Sequence, residues 1–540
     1  MERAERRIAM IQRLCTESAE GRNDKNDDVV RLQDVIVYAL RRMAYGALHR
    51  HAQGEATPEA DDVMAAALYA TRPDASVDVP ALQRLLRDIV LAQKRVNPNL
   101  DCEADSCSQT VAATLALLKQ DAPSADELNA NRDIRSAMLI LLALARKTAG
   151  ARFQAASLGR RDGEVDDFLY SALTAGIPPQ YFETQWEGIP DNYDENGTHG
   201  RSRNLDEWVE LLLQGGRMAL KTLEMADEAA ADMYGTPQPT PVSLGHRPGR
   251  ALLVSGGDMR TLHEVLEQTV KADIAVYTHG GLLKAHAYPR LRSYPHLAGH
   301  IGEPGPEGLA HFPGPVLFTA GASIGQSCGD AFFTSEGYPA DNGSPGDEAA
   351  MKNLAQAMPG FSDEIFGGEI TTGFGRKTLR AVAPQVADAL RAGTLRHVFV
   401  LDACAADWSE GAYFPEFLQL TPPDTLILDL TGGSCRMADK SLGAAGGLPR
   451  LMHADLFAAA GFGPALAEAL GSSRVPLTWL FSGASAVSGL LALLTADIGS
   501  VAFGPDLPDV VTPDLWAALG RRHAILRLGS PADDIKSLLN

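Results

Sequence analysis

The sequence predicts a multidomain protein of mixed α and α/β class, with an N-terminal helical bundle followed by two doubly wound, Rossmann-like domains. Two observations predict this fold class. Apolar residues recur at helical spacing up to about Pro241, whereas short apolar runs alternate with helical segments in the remainder. Strands that are apolar throughout are typical of parallel sheets that helices cover on both faces, so the second part is predicted to be α/β.

The helical bundle is predicted from apolar residues at three- and four-residue spacing. The segments with this pattern are Val29–Ala52, Val79–Arg95, Ile134–Leu158 and Leu205–Tyr234. Pro237, Pro239 and Pro241 then mark a change of composition. We therefore assign residues 1–247 to the bundle.

The α/β part is predicted from short apolar runs that helical segments separate. The runs are Ala251–Ser255, Ile274–Thr278, Pro315–Thr319, Ile370–Gly373, His397–Leu401, Thr425–Leu430, Leu477–Phe481 and Ser500–Phe503. Their number fits two domains, which we place at residues 248–388 and 389–540. In parallel sheets of this kind, ligand sites form at the carboxyl ends of the strands, so the residues after each run are the functional candidates.

The composition argues against several classes of function. The 540 residues include 48 basic and 68 acidic side chains, and the net charge of −20 argues against nucleic acid or an anionic membrane as a partner. No apolar run reaches the ~18 residues of a membrane span, and the charged segment Met1–Arg7 leads into no apolar stretch. We therefore expect a cytoplasmic protein. The 6 cysteines are too few and too scattered for a disulfide framework in a chain of this length. The absence of a CxxC pair argues against a zinc ribbon or a ferredoxin-like cluster.

Short strings at the predicted strand ends are similar to those of one known family. They are Leu253–Asp258 (LVSGGD), Val276–Gly280 (VYTHG), His286–Pro289 (HAYP), Phe312–Leu317 (FPGPVL), Thr372–Arg376 (TGFGR), Arg396–Val400 (RHVFV), Gly447–Leu451 (GLPRL) and Thr512–Leu515 (TPDL). Asp34 and the segment Tyr234–Thr240 add matches in the helical part. In their order and spacing over essentially the whole chain, these strings resemble the hybrid-cluster protein family, also called the prismane or hydroxylamine reductase family.

The resemblance implies a redox enzyme with two iron–sulfur clusters. In that family an N-terminal four-cysteine motif holds a cubane, and a second cluster with oxygen and sulfur bridges lies between the domains. A histidine, two glutamates and four cysteines hold the second cluster, and one of these cysteines can carry a persulfide. The reactions attributed to the family are the two-electron reduction of hydroxylamine to ammonia and water and the reduction of nitric oxide.

This sequence lacks nearly all the residues that would hold those clusters. Residues 1–22 contain one cysteine, Cys15, whereas a cubane needs four thiolates. At six of the seven ligand positions of the second cluster stands Gly, Ala or Phe, and none of these side chains binds iron. The substituted positions are Gly257, Gly281, Ala322, Gly432, Phe457 and Gly483. Cys404 alone matches, at the position that resembles the persulfide-bearing cysteine.

The remaining thiols and imidazoles near strand ends are candidates for chemistry. Cys404 is the catalytic candidate, and the alternative for it is a buried cysteine that behaves as a small apolar residue. Cys435 or Cys328, together with His279 or His286, would give a ligand set for a different metal. The alternative is that these four are ordinary loop residues.

Three aspartates near strand ends are further candidates in the cleft between the predicted α/β domains. They are Asp258, Asp402 and Asp429. Carboxylates in a cleft act as acids or bases when their pKa values are perturbed. The alternative is that each caps the helix that follows it.

Three functions fit a retained fold with missing ligands. The first is a redox or nitrogen-compound-related role without iron–sulfur clusters, in which Cys404 or another metal carries the chemistry. The second is a pseudoenzyme that binds or regulates another protein, and the third is a non-redox enzyme that uses the cleft. We expect a small molecule or a protein as the partner, assign no cofactor, and do not expect ordinary hydroxylamine reductase activity.

Overall fold

A computed structural model describes the fold of the 540-residue chain. It describes residues 27–72, 79–96, 131–176, 203–302, 311–319, 332–334, 352–353, 355–403, 408, 412–432, 442–496 and 499–539. Within these ranges the chain divides into two compact units, one from Asn23–Asp227 and Asp509–Arg522, the other from Glu228–Pro508 and His523–Asn540. The domain boundaries near residues 247 and 388 stay predictions.

Long amphipathic helices form the first unit. The α-helices of the described residues are α1 (Asp27–Ala52), α2 (Pro58–Ala70), α3 (Val79–Val96), α4 (Arg132–Ser157), α5 (Gly163–Thr174), α6 (Leu205–Tyr234), α7 (Met259–Thr269), α8 (Pro289–Arg292), α9 (Arg376–Arg391), α10 (Tyr413–Leu420), α11 (Leu456–Leu470), α12 (Ala486–Leu494), α13 (Pro513–Arg522) and α14 (Pro531–Leu539). The four segments predicted from periodicity are confirmed as α1, α3, α4 and α6, with ends within two residues of the prediction. No helix in the described ranges is both long enough and apolar enough to cross a bilayer.

Apolar faces hold the helices of the first unit together. Helix α1 packs on α3 and α5, and α2 packs on α4. Leu40 and Met43 of α1 and Leu85 of α3 are completely buried, as expected for the apolar stripe of an amphipathic helix. Asn131 and Asp162 cap α4 and α5, because each side chain accepts two hydrogen bonds from backbone N–H groups of the first turn.

One buried arginine links the helices of the first unit through charge. The side chain of Arg152 in α4 is 1% exposed. Its Nε donates to Oδ1 of Asp166 at 2.8 Å and its Nη2 donates to Oδ2 at 3.1 Å, while its Nη1 bonds to Asp62. These hydrogen bonds raise the pKa of Arg152 although burial opposes them. The bidentate pair therefore holds a full charge inside the bundle.

Two parallel sheets form the frame of the second unit. The strands are β1 (Thr240–Ser243), β2 (Ala251–Ser255), β3 (Ala275–His279), β4 (Leu297–His300), β5 (Val316–Phe318), β6 (Phe332–Thr334), β7 (Glu369–Thr372), β8 (His397–Ala403), β9 (Thr425–Asp429), β10 (Ala444–Ala445), β11 (Leu448–Pro449), β12 (Leu451–His453), β13 (Leu477–Ser482), β14 (Ser500–Phe503) and β15 (Ile525–Arg527). The first sheet has the order β4-β3-β2-β5-β6 and the second the order β12-β9-β8-β13-β14-β15. Every neighbouring pair in both sheets is parallel. The mixture of helices with parallel sheets confirms the predicted fold class at that level.

Apolar side chains cover the central strands on both faces. All residues of β2, β8, β9 and β13 are buried, which matches the near-continuous apolar runs of the sequence. Helices α9 and α11 pack on each other, α10 packs on α14, and α12 packs on β13. The strand ends are therefore where polar residues become accessible to a ligand.

One predicted strand belongs to neither parallel sheet. The run Ile370–Gly373 contributes to β7, which pairs antiparallel with β1. Val242 of β1 lies opposite Ile370, and both pack with Leu283 in a small apolar cluster. Buried and more exposed residues alternate in β1, as is typical of an antiparallel ribbon with one covered face. The expectation that this run joins a parallel sheet is therefore corrected.

Replacing Asp166 with alanine is expected to destabilise the helical unit, because the buried Arg152 guanidinium would lose its bidentate partner. Removing one partner of a buried ion pair costs roughly 3–5 kcal/mol, and we expect the lower end because Asp62 remains. Urea unfolding followed by circular dichroism measures the loss. The control is Glu55→Ala, which removes the more exposed partner of Arg50 and should cost at most about 1 kcal/mol. Equal losses in the two variants would contradict the role given to burial.

Candidate functional site

The parallel register brings polar side chains together at the carboxyl edge of the first sheet. Ser255, the last residue of β2, pairs in register with His279, the last residue of β3. Thr278 pairs in the same way with His300, the last residue of β4. All four side chains are buried. Residues in register on adjacent strands point to the same face, so each hydroxyl lies beside an imidazole.

Hydrogen bonds between hydroxyls and imidazoles fix the orientation of these rings. Ser255 Oγ lies 2.8 Å from His279 Nδ1. Thr278 Oγ1 lies 2.8 Å from Nε2 of His286 and 2.9 Å from Nδ1 of His300. His286 belongs to a 3₁₀ helix, Gly280–Ala287, that follows β3. The rings of His279 and His300 are nearly parallel, with centroids 6.4 Å apart.

A fourth imidazole comes from the second sheet. His453 ends β12, and its Nδ1 lies 3.0 Å from Oγ1 of Thr372, the last residue of β7. A Cβ atom added at Gly432 would lie 3.9 Å from His453 Nε2, so this nitrogen faces the turn after β9. Burial is the main cause of the lowered pKa of His300, and a protonated His453 would add a smaller contribution. The histidine cluster is defined as His279, His286, His300 and His453.

Burial keeps three rings of the histidine cluster uncharged at neutral pH. It lowers the pKa of His286 to about 4. The pKa of His300 falls well below its usual value, first through burial and then through the neighbouring imidazoles. Burial also lowers the pKa of His453, although the charges of Asp429 and Asp455 oppose this shift. Hydrogen bonds to hydroxyls satisfy the rings without a counter-charge.

Two of the substituted positions lie against each other through their backbones. A Cβ atom added at Gly281 would lie 3.3 Å from the carbonyl oxygen of Gly256 and 3.6 Å from Cα of Gly257. Gly257 follows β2 and Gly281 follows β3, so adjacent strands place them side by side. The resemblance would require an imidazole and a carboxylate here. These two positions offer no side-chain donor for iron.

The other substituted positions in the described ranges have no metal-binding side chain either. Phe457 is buried, and the guanidinium carbon of Arg376 lies 4.8 Å from its ring centroid in a cation–π contact. Gly432 and Gly483 follow β9 and β13 with φ values of +77° and +81°, a conformation that strains other residues. Ala322 lies outside the described residues. If these are the ligand positions that the resemblance implies, the described ones offer no side chain that would hold the second cluster.

The described residues contain no group of three or more His, Cys, Asp or Glu side chains that is arranged to hold a metal ion. His279 and His286, the predicted imidazole ligands, instead bond to Ser255 and Thr278. Their proposed thiol partners, Cys435 and Cys328, lie outside the described residues, as does Cys404. Their placement beside the histidine cluster stays a prediction.

The three candidate aspartates have local structural contacts. Asp258 is the N-cap of α7 and accepts hydrogen bonds from two backbone N–H groups of its first turn. Asp429 accepts hydrogen bonds from the backbone N–H and the hydroxyl of Thr431, which closes the turn after β9. The carboxylate of the buried Asp402 packs against Gly489 of α12, where a methyl group would not fit. Helix capping thus describes Asp258, whereas the other two carboxylates have different contacts.

The sequence patterns do not single out His300 or His453, and Thr372 appears only as the first residue of the string TGFGR. Ser255 and Thr278 do lie in the strings LVSGGD and VYTHG, but only as flanking residues. Their pairing depends on strand order and register, which one sequence does not reveal. The one available signal is a polar residue as the last of an apolar run, since such residues meet at the carboxyl edge.

Comparisons with known proteins agree with the resemblance. A sequence model of the Prismane/CO dehydrogenase family matches residues 13–536. The hydroxylamine reductase of Lawsonia intracellularis is 33% identical over 530 residues, which cover 95% of this chain and 96% of the relative. The hydroxylamine reductase of Solidesulfovibrio magneticus is 32% identical over 554 residues, which cover 97% of this chain and 99% of the relative. The solved structure of carbon monoxide dehydrogenase IV from Carboxydothermus hydrogenoformans is 12% identical, with a TM-score of 0.49 over 94% of this chain and 87% of that chain.

The family model and the two hydroxylamine reductases match almost the full length of this chain, so these matches concern the helical and the α/β parts together. The family strings that the sequence shows at its strand ends lie within the matched residues. The chain belongs to the Prismane/CO dehydrogenase family.

Proposed function

We propose that this chain has a role with small nitrogen–oxygen compounds on the family scaffold, without the family's iron–sulfur clusters. Its ligand would be a small uncharged molecule of the hydroxylamine type, bound at the histidine cluster. One observation carries the proposal: hydroxyl-bound imidazoles are buried at the strand ends, and His453 Nε2 faces Gly432, a position where the resemblance places a cluster ligand.

The absence of donors at the described positions supports the loss of the second cluster. Iron in such clusters is held by thiolate, imidazole and carboxylate groups. Gly257, Gly281, Gly432 and Gly483 have no side chain, and the ring of Phe457 is engaged by Arg376. The N-terminal residues contain too few cysteines for a cubane. A redox role would therefore need a different electron carrier from the relatives' clusters.

The neutrality of the imidazoles supports the choice of ligand. Among the described residues, the side chains of His286, His300 and His453 each make one hydrogen bond, which leaves the second ring nitrogen for a ligand. An anion such as nitrite would find no counter-charge in rings that burial keeps uncharged. A small neutral molecule with hydroxyl and amine groups can donate to one bare nitrogen and accept from one N–H group.

Cys404 enters the proposal through its place in the sequence. It follows Ala403, the last residue of β8, which pairs in register with Ser482 at the end of β13. It is the residue that retains the ligand type expected from the family, and a thiol is the natural group for exchange with a sulfur or nitrogen species. Its reactivity stays a proposal.

Protein purified without oxygen is expected to contain no stoichiometric iron or acid-labile sulfide, because too few ligands remain. Iron and sulfide assays with visible absorbance measure this. Hydroxylamine turnover with reduced viologen should also be absent, and a cluster-bearing hydroxylamine reductase serves as the positive control. Several irons per chain, or turnover equal to that of the control, would overturn the proposed loss of clusters.

Hydroxylamine is expected to bind at neutral pH, and His453→Gln should weaken this binding about two- to tenfold, because one hydrogen bond contributes roughly 0.5–1.5 kcal/mol. Isothermal titration calorimetry measures the dissociation constant. The matched control is His397→Gln, at the start of β8, where the imidazole is also buried and also bonded to a threonine hydroxyl. No binding by the wild-type protein, or equal weakening in both variants, would contradict the proposed site.

Acidification is expected to destabilise the protein through the histidine cluster. Above about pH 7 the folded and unfolded chains both hold these rings neutral. Below 6.5 the unfolded chain takes up protons that folded His286 does not accept until about pH 4, so the free energy of unfolding falls by up to about 1.4 kcal/mol per pH unit. His286→Gln should make this decrease shallower in urea unfolding between those pH values.

The control for this experiment is His311→Gln, because His311 is exposed and lies outside the histidine cluster. If His286→Gln and His311→Gln show the same decrease as the wild-type protein, burial does not hold the imidazole neutral.

A further inference from the structure

One buried hydroxyl joins two imidazoles of the histidine cluster. Thr278 is completely buried, and among the described residues its hydroxyl has two hydrogen-bond partners, His286 Nε2 at 2.8 Å and His300 Nδ1 at 2.9 Å. Both distances are typical of strong hydrogen bonds with well-placed hydrogens. The bridge connects the 3₁₀ helix after β3 with the end of β4.

The number of protons restricts how this bridge can be made. A hydroxyl has one proton, so Thr278 donates to one ring and accepts from the other. If it accepted from both rings, its own buried O–H would be left without an acceptor, at a cost of roughly 1–3 kcal/mol. If both ring nitrogens that face the hydroxyl were bare, its single proton could bond to only one of them, and the other nitrogen would have no donor. One ring nitrogen of the bridge is therefore bare and the other carries hydrogen.

This restriction couples the tautomers of the two rings. When Thr278 donates to His286 Nε2, His286 carries its hydrogen on Nδ1, and His300 donates from its own Nδ1. When Thr278 donates to His300 Nδ1, His300 carries its hydrogen on Nε2, and so does His286. The two rings are thus both Nδ1-protonated or both Nε2-protonated. Neither state contains a charged imidazole.

We propose that His286, Thr278 and His300 form a proton relay that connects a ligand beside His300 with water beside His286. The ligand class is a small molecule with an O–H or N–H group. His300 Nε2 is the atom that forms a hydrogen bond with this group. The ring of His300 is joined to His286 through Thr278 and lies nearly parallel to the ring of His279, with centroids 6.4 Å apart. No part of the relay requires a metal ion.

The proton path is balanced at each atom. A ligand proton bonds to the bare Nε2 of His300, while the Nδ1 proton of His300 moves to the Thr278 oxygen. The original hydroxyl proton moves to Nε2 of His286, and the Nδ1 proton of His286 passes to water. One proton enters and one leaves, both rings end Nε2-protonated and neutral, and no electrons are transferred. The reverse path delivers a proton to the ligand.

The relay rests on the proposed function only for the identity of the ligand. Its geometry belongs to the protein alone, so the tautomers can be measured without any ligand. Acid–base chemistry of this kind would serve a nitrogen–oxygen compound whose bonds change with proton transfer.

The test is nuclear magnetic resonance of the full chain with ¹⁵N in its histidine rings, which reports the protonated nitrogen of each ring. His286→Gln and His300→Gln assign the signals. We expect the two rings to show the same tautomer, in equal fractions at every temperature measured. Thr278→Val, which removes the hydroxyl and keeps the shape, should shift the ¹⁵N signals of both rings, and Thr278→Ser should restore the wild-type pattern.

The matched control is Thr372→Val, which removes the hydroxyl bonded to His453 and should shift the signals of His453 alone. Opposite tautomers in His286 and His300, unequal fractions, or no change in Thr278→Val would overturn the relay. A wild-type protein that does not bind hydroxylamine but shows matching tautomers contradicts the proposed ligand and leaves the relay standing. Mismatched tautomers in a protein that binds hydroxylamine contradict the relay alone.

Discussion

The parallel register of the two sheets is the constraint on which the candidate site depends. It sets Ser255 beside His279 and Thr278 beside His300 at one edge of the first sheet. In the second sheet it sets Asp429 beside His453. Burial then demands a partner for each polar atom, because an unsatisfied buried donor or acceptor costs as much as the hydrogen bond it lacks. Pairs of hydroxyl and imidazole meet that demand for one nitrogen of each ring without a net charge.

Charge balance explains why an imidazole cluster can occupy this part of the family fold. Thiolates and carboxylates are stable in a buried site when a metal compensates their charge, and they are costly without one. At the described positions where the resemblance places cluster ligands, this chain has glycine or phenylalanine, and buried histidines end the strands β3, β4 and β12. The guanidinium of Arg376 makes a cation–π contact with the ring of Phe457.

The sequence predicts the elements of this fold well because their signals are local. Ala251–Ser255 and Ser500–Phe503 are strands with the predicted ends, and the long helix Leu205–Tyr234 is confirmed in full. Local signals do not determine which strands become neighbours. They therefore do not predict the antiparallel pairing of β7 with β1. The same limit applies to the site. Thr372 and His453 are far apart in sequence, and only the tertiary fold shows that the hydroxyl of one bonds to the ring of the other.

The antiparallel pairing of β1 with β7 restricts which sequence changes this segment can accept. Thr372 lies opposite Thr240, and successive side chains in a strand point to opposite faces. A slip of one residue would turn Thr372 away from His453 and would also turn Ile370 out of its apolar cluster with Val242. A single inserted or deleted residue within the ribbon therefore removes an anchor of the site and part of its core together, whereas a point substitution such as Thr372→Val removes only one of these contacts. Length, more than identity, is what this segment must preserve.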